Sequence, residues 1–152
     1  MMHIIQTKLN PILVLILALC IFAQSSYAQS LATLKSPTGI AYLSGGIGEE
    51  EVLTMRAQAK KFTLNLLFSE GTSGRSVTNV NVNIYNEQDE RVFRIVGSKP
   101  MLYVNLPAGT YLILANNNGQ KLRHKVSLED NANKKLILNW KDAVEEDLSV
   151  DE

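Results

Sequence analysis

Cysteine is almost missing from this sequence: one residue, Cys20, in 152. Histidine is nearly as scarce, with His3 and His124 only, and tryptophan is represented by Trp140 alone. Charge of one sign is also lacking, since 15 Lys and Arg stand against 15 Asp and Glu. These absences exclude a good deal. One cysteine cannot staple a small domain, and it cannot supply a thiolate metal centre. A net charge of zero gives no long-range positive field for phosphate backbones, so nucleic acid is not an expected partner. With 45% hydrophobic residues and no glycine or proline bias, the chain is neither disordered nor fibrous in composition. Its length suits one ordinary domain.

The first 28 residues have three parts: a polar start with Lys8, an apolar run from Ile12 to Ala23, and the small-residue end Ser26-Tyr27-Ala28. That is the layout of a secretory signal peptide, with cleavage expected between Ala28 and Gln29. A helix needs about 20 apolar residues to cross a bilayer, and this run is shorter, so no stable membrane anchor is expected after cleavage. Leu17-Ala18-Leu19-Cys20 resembles a lipoprotein box, but Leu19 stands where a small residue is required, and the apolar run continues beyond Cys20. A periplasmic or secreted, unlipidated protein is therefore expected. Processing would remove His3 and Cys20 and leave 14 basic against 15 acidic residues.

Residues 29–60 read as an extended lead-in followed by one short helix. Ser36-Pro37-Thr38-Gly39 is a turn signal, and Gly45-Gly46-Ile47-Gly48 reads as a flexible hinge. Glu49, Glu50 and Glu51 suit the positive end of a helix dipole, Lys60 and Lys61 its negative end, and Val52, Met55 and Ala59 share one side.

From residue 61 to 141 the period becomes two. In Phe62-Thr63-Leu64-Asn65-Leu66-Leu67-Phe68 the even positions are all large and apolar, and Val80, Val82 and Ile84 alternate with Asn79, Asn81, Asn83 and Tyr85. Further strands are expected at 91–96, 101–106, 110–116, 120–128 and 134–140. Asn118-Gly119 is the strongest hairpin turn, because both residues tolerate positive φ. Seven short strands joined by turns, without crossover helices, predict an all-β fold: a seven-stranded antiparallel Ig-like sandwich with one short N-terminal helix. Residues 142–152 hold six acids and no base, and read as a solvated acidic tail.

Leu106-Pro107-Ala108-Gly109-Thr110-Tyr111 resembles the Leu-Pro-x-Gly-x-Tyr signature of carboxypeptidase-regulatory-like domains, which are transthyretin-like sandwiches of the prealbumin type. Leu106, Pro107, Gly109 and Tyr111 carry the resemblance, which extends over about residues 45–141 and is also similar to small secreted bacterial proteins bearing this module. It implies the fold and says little of activity. Some transthyretin-like proteins hydrolyse 5-hydroxyisourate using several His residues, an Arg-x-His and a closing Tyr-Arg-Gly-Ser. Here Arg123 and His124 are adjacent and the closing motif is missing, so the resemblance does not carry that activity.

No catalytic set is expected, nor a metal or cofactor. His124 shares the parity of Leu122, Val126 and Leu128 and reads as a partly buried strand residue, and there is no Gly-x-Ser-x-Gly elbow. Gly45 to Gly48 lack the Lys-Ser or Lys-Thr of a phosphate loop, and the acids lack calcium-loop spacing. A Lys60 or Lys61 to Asn139 isopeptide bond would need an acid that Tyr103 to Leu106 do not contain. What remains is a polar, aromatic-edged face formed by Asn79, Asn81, Asn83 and Tyr85 on one strand with Tyr103 and Asn105 on another. Such a face suits glycan or peptide backbone. The expected role is a non-enzymatic binding or structural accessory of an envelope protein assembly, or else a small carbohydrate- or peptide-binding module.

Overall fold

The structure, a computed structural model, describes residues 31–141. The expected signal peptide, its expected cleavage point between Ala28 and Gln29, the Cys20 box and the acidic segment 142–152 lie outside the described residues.

Among the described residues ten strands form two sheets, accompanied by one α-helix. The first sheet contains β1 (Leu34–Lys35), β2 (Ala41–Gly45), β3 (Leu64–Glu70), β4 (Arg75–Ser76), β7 (Met101–Val104) and β10 (Lys134–Trp140). Its order is β1, β2, β7, β3, β10, with β4 pairing to β3 beyond the end of β7. The second sheet contains β5 (Val80–Tyr85), β6 (Arg91–Ser98), β8 (Gly109–Asn117) and β9 (Gln120–Leu128), in the order β6, β5, β8, β9. Helix α1 (Glu49–Gln58) and a 3-10 turn (Ala59–Lys61) separate β2 from β3.

Alternation explains how the sheets meet. Leu64, Leu66 and Phe68 of β3 and Leu102 and Val104 of β7 turn inward, against Val80, Val82 and Ile84 of β5 and Ile113 and Ala115 of β8. Phe93, Val126, Leu138 and Trp140 complete this core, with Tyr42 set edge-on to Phe93 at 5.3 Å between ring centres. Trp140 is a core residue, and its indole N–H donates to the Gln120 carbonyl across the sheets at 3.0 Å.

The first sheet also has a buried outer side. Met55 of α1 packs on Leu43, Phe62, Met101 and Tyr103, with Val52 and Ala59 beside them. The carbonyls at the helix end are satisfied by amides: Asn65 Nδ2 donates to Ala59 O at 3.1 Å, and Asn133 Nδ2 to Ala59 O and Phe62 O at 2.8 Å. At the other end, Lys99 Nζ and the Ile47 N–H donate to the two oxygens of Glu51 at 2.7 and 2.8 Å. First the Lys99 hydrogen bond, then that from Ile47, hold the Glu51 carboxyl below its ordinary 4.5, outweighing burial. A depressed carboxyl stabilises the fold above that ordinary value, and the contribution is lost as pH falls through the folded-state value. Glu51→Gln is therefore expected to cost about 0.5–1 kcal/mol at pH 7. Urea titrations should show the two chains converging in strongly acidic buffer.

Three expectations are corrected. The segment before the helix is not merely a lead-in: β2 pairs with β7 from Tyr42↔Val104 to Gly45↔Met101, so the sheet begins well before residue 61. Among the described residues there are ten strands, not seven, and they are not all antiparallel. β10 runs parallel to β3 through seven register pairs, Lys134↔Leu64 to Trp140↔Glu70. The crossover that a parallel pair requires is made by the second sheet instead of a helix.

The glycines after β2 also differ from a hinge. A Cβ on Gly45 would lie 3.0 Å from Met55, and one on Gly46, at φ +96°, would lie 2.7 Å from Met101 Cγ. Close packing of the chain against the helix and β7 is what requires them.

Candidate binding face

The two sheets differ on their outer sides. α1 lies over the first, whereas the second presents the outward residues of four strands. On β5 these are Asn81, Asn83 and Tyr85, opposite in parity to the buried Val82 and Ile84. On β8 they are Leu112, Leu114 and Asn116, half-buried between the buried Tyr111, Ile113, Ala115 and Asn117. β9 contributes Lys121, Arg123 and Lys125, all exposed, and β6 contributes Arg91 and Arg94.

Register sets these side chains in rows. Arg94, Asn83, Leu114 and Arg123 form one row across the sheet, and Arg91, Tyr85, Leu112 and Lys125 the next. Asn81, Asn116 and Lys121 form a third. With strands about 4.8 Å apart, the face is roughly 14 Å wide. A hollow of about 400 Å³ lies among Asn83, Leu114, Asn116, Lys121 and Arg123. A second of about 310 Å³ continues past Arg123 to Leu112 and Lys125. Together they make a shallow trough along β8 and β9, apolar in its floor and cationic along its wall. Glu87 and Asp89, on the turn after β5, stand at its far end.

Of the expected Asn and Tyr set, only the β5 part belongs here. Asn79 sits in the turn before β5 at φ +62°, and Asn81 Oδ1 accepts the Gly97 N–H at 3.0 Å. Tyr103 and Asn105 belong to the other sheet. Tyr103 is buried under α1 against Phe62, and that burial pushes its phenol up against a smaller opposing effect of Arg56. Asn105 Oδ1 accepts the Thr63 N–H at 3.1 Å. The six residues therefore form no common face, because β5 and β7 lie in different sheets.

Leu106, Pro107, Gly109 and Tyr111 carry the chain from the first sheet to the second. Tyr111 is buried in the core and its hydroxyl donates to the Pro107 carbonyl at 3.0 Å; burial pushes that phenol up. Gly109, at φ +151°, has a conformation that favours glycine. A hollow of about 370 Å³ opens beside this turn, lined also by Ile40, Val92 and the 86–88 turn.

His124 is exposed on the edge strand β9, less buried than its parity suggested. Asn139 Nδ2 donates to Ser69 Oγ at 2.9 Å and to Gly71 O at 3.1 Å. Its neighbour in register is Ser69, whereas Lys60 and Lys61 precede the opposite end of β3, so no isopeptide bond joins them. Among the described residues, no three His, Cys, Asp or Glu cluster as metal ligands, and no helix is long and apolar enough to cross a membrane.

The sequence reading missed the cations and the two leucines of the trough. Lys121-x-Arg123-x-Lys125 was a visible signal, since alternate positions of one strand share a side. Compared with known proteins, the chain has no matching family model and no curated sequence similar to it.

Proposed function

We propose that this chain is a non-enzymatic, exported β-sandwich module that binds or stiffens an envelope protein assembly, and that it meets its partner through the outer face of the second sheet. The observation that carries this reading is the asymmetry of the two outer faces: helix α1 packs over one, and the other holds an open trough. The turn from Leu106 to Tyr111 supports kinship with carboxypeptidase-regulatory-like domains, because each motif residue has a physical task there. A non-enzymatic role is supported by the composition, in which residues 29–152 contain one His and no Cys.

A photo-crosslinking residue at position 114, in the trough, tests the reading in cells against the same residue at position 53 on α1. One recurrent envelope protein joined from position 114 and not from 53 is the expected result. Equal adducts from both positions would sink the proposed face. The second reading, a glycan or peptide ligand, is favoured by the Asn83, Tyr85 and Leu114 floor, which offers amide hydrogen bonds beside apolar surface. It predicts no protein adduct at either position and binding on glycan or peptide arrays that Asn83→Ala with Leu114→Ala removes.

A further inference from the structure

The zero net charge conceals a division. Residues 31–141 carry 14 Lys and Arg against 9 Asp and Glu, a surplus of five cations, while residues 142–152 carry six acids and no base. The four strands of the second sheet contain five Lys and Arg, namely Arg91, Arg94, Lys121, Arg123 and Lys125, and no Asp or Glu. None of the five takes part in the ion pairs among the described residues, which join Arg75 to Glu70 and Lys99 to Glu51.

The end of β10 lies close to the start of β9. Trp140 donates to the carbonyl of Gln120, the first residue of β9, so the last described residues, Trp140 and Lys141, stand near the end of β9 from which Lys121, Arg123 and Lys125 follow. Lys121 to Lys125 spans about 14 Å along the strand, and eleven extended residues reach as far as ~36 Å.

We propose that the segment Asp142–Glu152 docks in cis along the outer side of β9, its carboxylates facing Lys121, Arg123 and Lys125, and so occupies the trough from within the same chain. Single exposed ion pairs are weak, but a short tether holds the segment at an effective concentration in the millimolar range. Contacts of this kind are screened by salt, and the Debye length falls to about 3 Å at 1 M. An acidic partner for the trough would have to displace the segment. Edge lysines also deter strand-to-strand aggregation, a role that needs no acidic segment.

A zero-length carbodiimide, which joins carboxylates to lysine amines, separates these possibilities in the purified full chain. Links from Lys121 or Lys125 to acids of 142–152 are expected at least about five-fold above links from Lys60 or Lys61, and should fall by a similar factor in 1 M NaCl. In an equal mixture of ¹⁴N and ¹⁵N chains, each linked peptide pair should carry one isotope only. Equal yield at Lys60 and Lys61, no link at the β9 lysines, or isotopically mixed pairs, which would mean a second copy, each overturns the proposal. The sample holds no other protein, so the outcome is independent of the partner reading.

Discussion

Phe68→Ala is expected to lower the free energy of unfolding by about 3–5 kcal/mol, a large part of what a domain of this size has. Phe68 is 2% exposed, near the end of β3, and its ring lies 6.2 Å from that of Trp140. Trp140 in turn reaches across to Gln120. Removing the phenyl ring leaves a void between the sheets and frees one side of the indole. Because Trp140 is the sole tryptophan, its fluorescence in urea reports both the midpoint and the altered native environment. Phe68→Leu should retain more than half of the lost stability, since it refills most of the volume. A cost below about 1 kcal/mol for the alanine variant would contradict the packing of Phe68 in the core.

Gly46→Ala is expected to cost about 3 kcal/mol, against about 1 for Gly48→Ala, two residues away. Both glycines have positive φ, +96° and +79°, so each alanine carries the left-handed backbone penalty. They differ in surroundings. A Cβ at Gly46 meets Met101 Cγ at 2.7 Å and Sδ at 2.9 Å, whereas one at Gly48 meets nothing within 4 Å. Met101 is itself packed with Leu43, Met55 and Tyr103, so it has little room to give. Chemical denaturation of the two variants measures the difference. Equal costs would mean that Gly46 is a free hinge and that the close approach to β7 is absent.

The strands that face water on one side were legible in the sequence. Val80-Asn81-Val82-Asn83-Ile84 alternates cleanly because β5 has core on one side only, and β8 likewise alternates large inward and half-buried outward residues. On the first sheet the strands at 101–106 and from Phe62 were also expected, but the covering of their outer side by the helix was not. Met101-Leu102-Tyr103-Val104 is apolar at every position, because Leu102 and Val104 meet the core while Met101 and Tyr103 meet the helix. Reading Tyr103 as outward was correct in parity and wrong in consequence, since outward on that sheet means under α1. β2 was missed because it is only five residues long and its two large apolar residues are adjacent, Tyr42 packing on the core and Leu43 under the helix, so they do not alternate. Alternation also says nothing of which strand lies alongside. The β3 and β10 pairing joins residues seventy apart, and no local signal could assign it. The trough was half visible. Asn83 and Tyr85 were read as a surface, but the cations of β9 entered only as part of a balanced total.

That same pairing governs the order in which the fold can form. β3 is an inner strand of its sheet, flanked by β7 on one side and β10 on the other, and β10 is the last strand among the described residues. A ribosome emitting the chain from its amino terminus therefore leaves one edge of β3 without a partner until residue 140 has appeared. Contacts so distant in sequence make closure slow relative to local hairpins such as that of β8 and β9. The second sheet, made of antiparallel neighbours, can assemble beforehand and wait. From residue 70 to residue 140 the unfinished molecule carries an apolar strand with one edge bare, which keeps it extensible and dependent on protection until its final strand arrives.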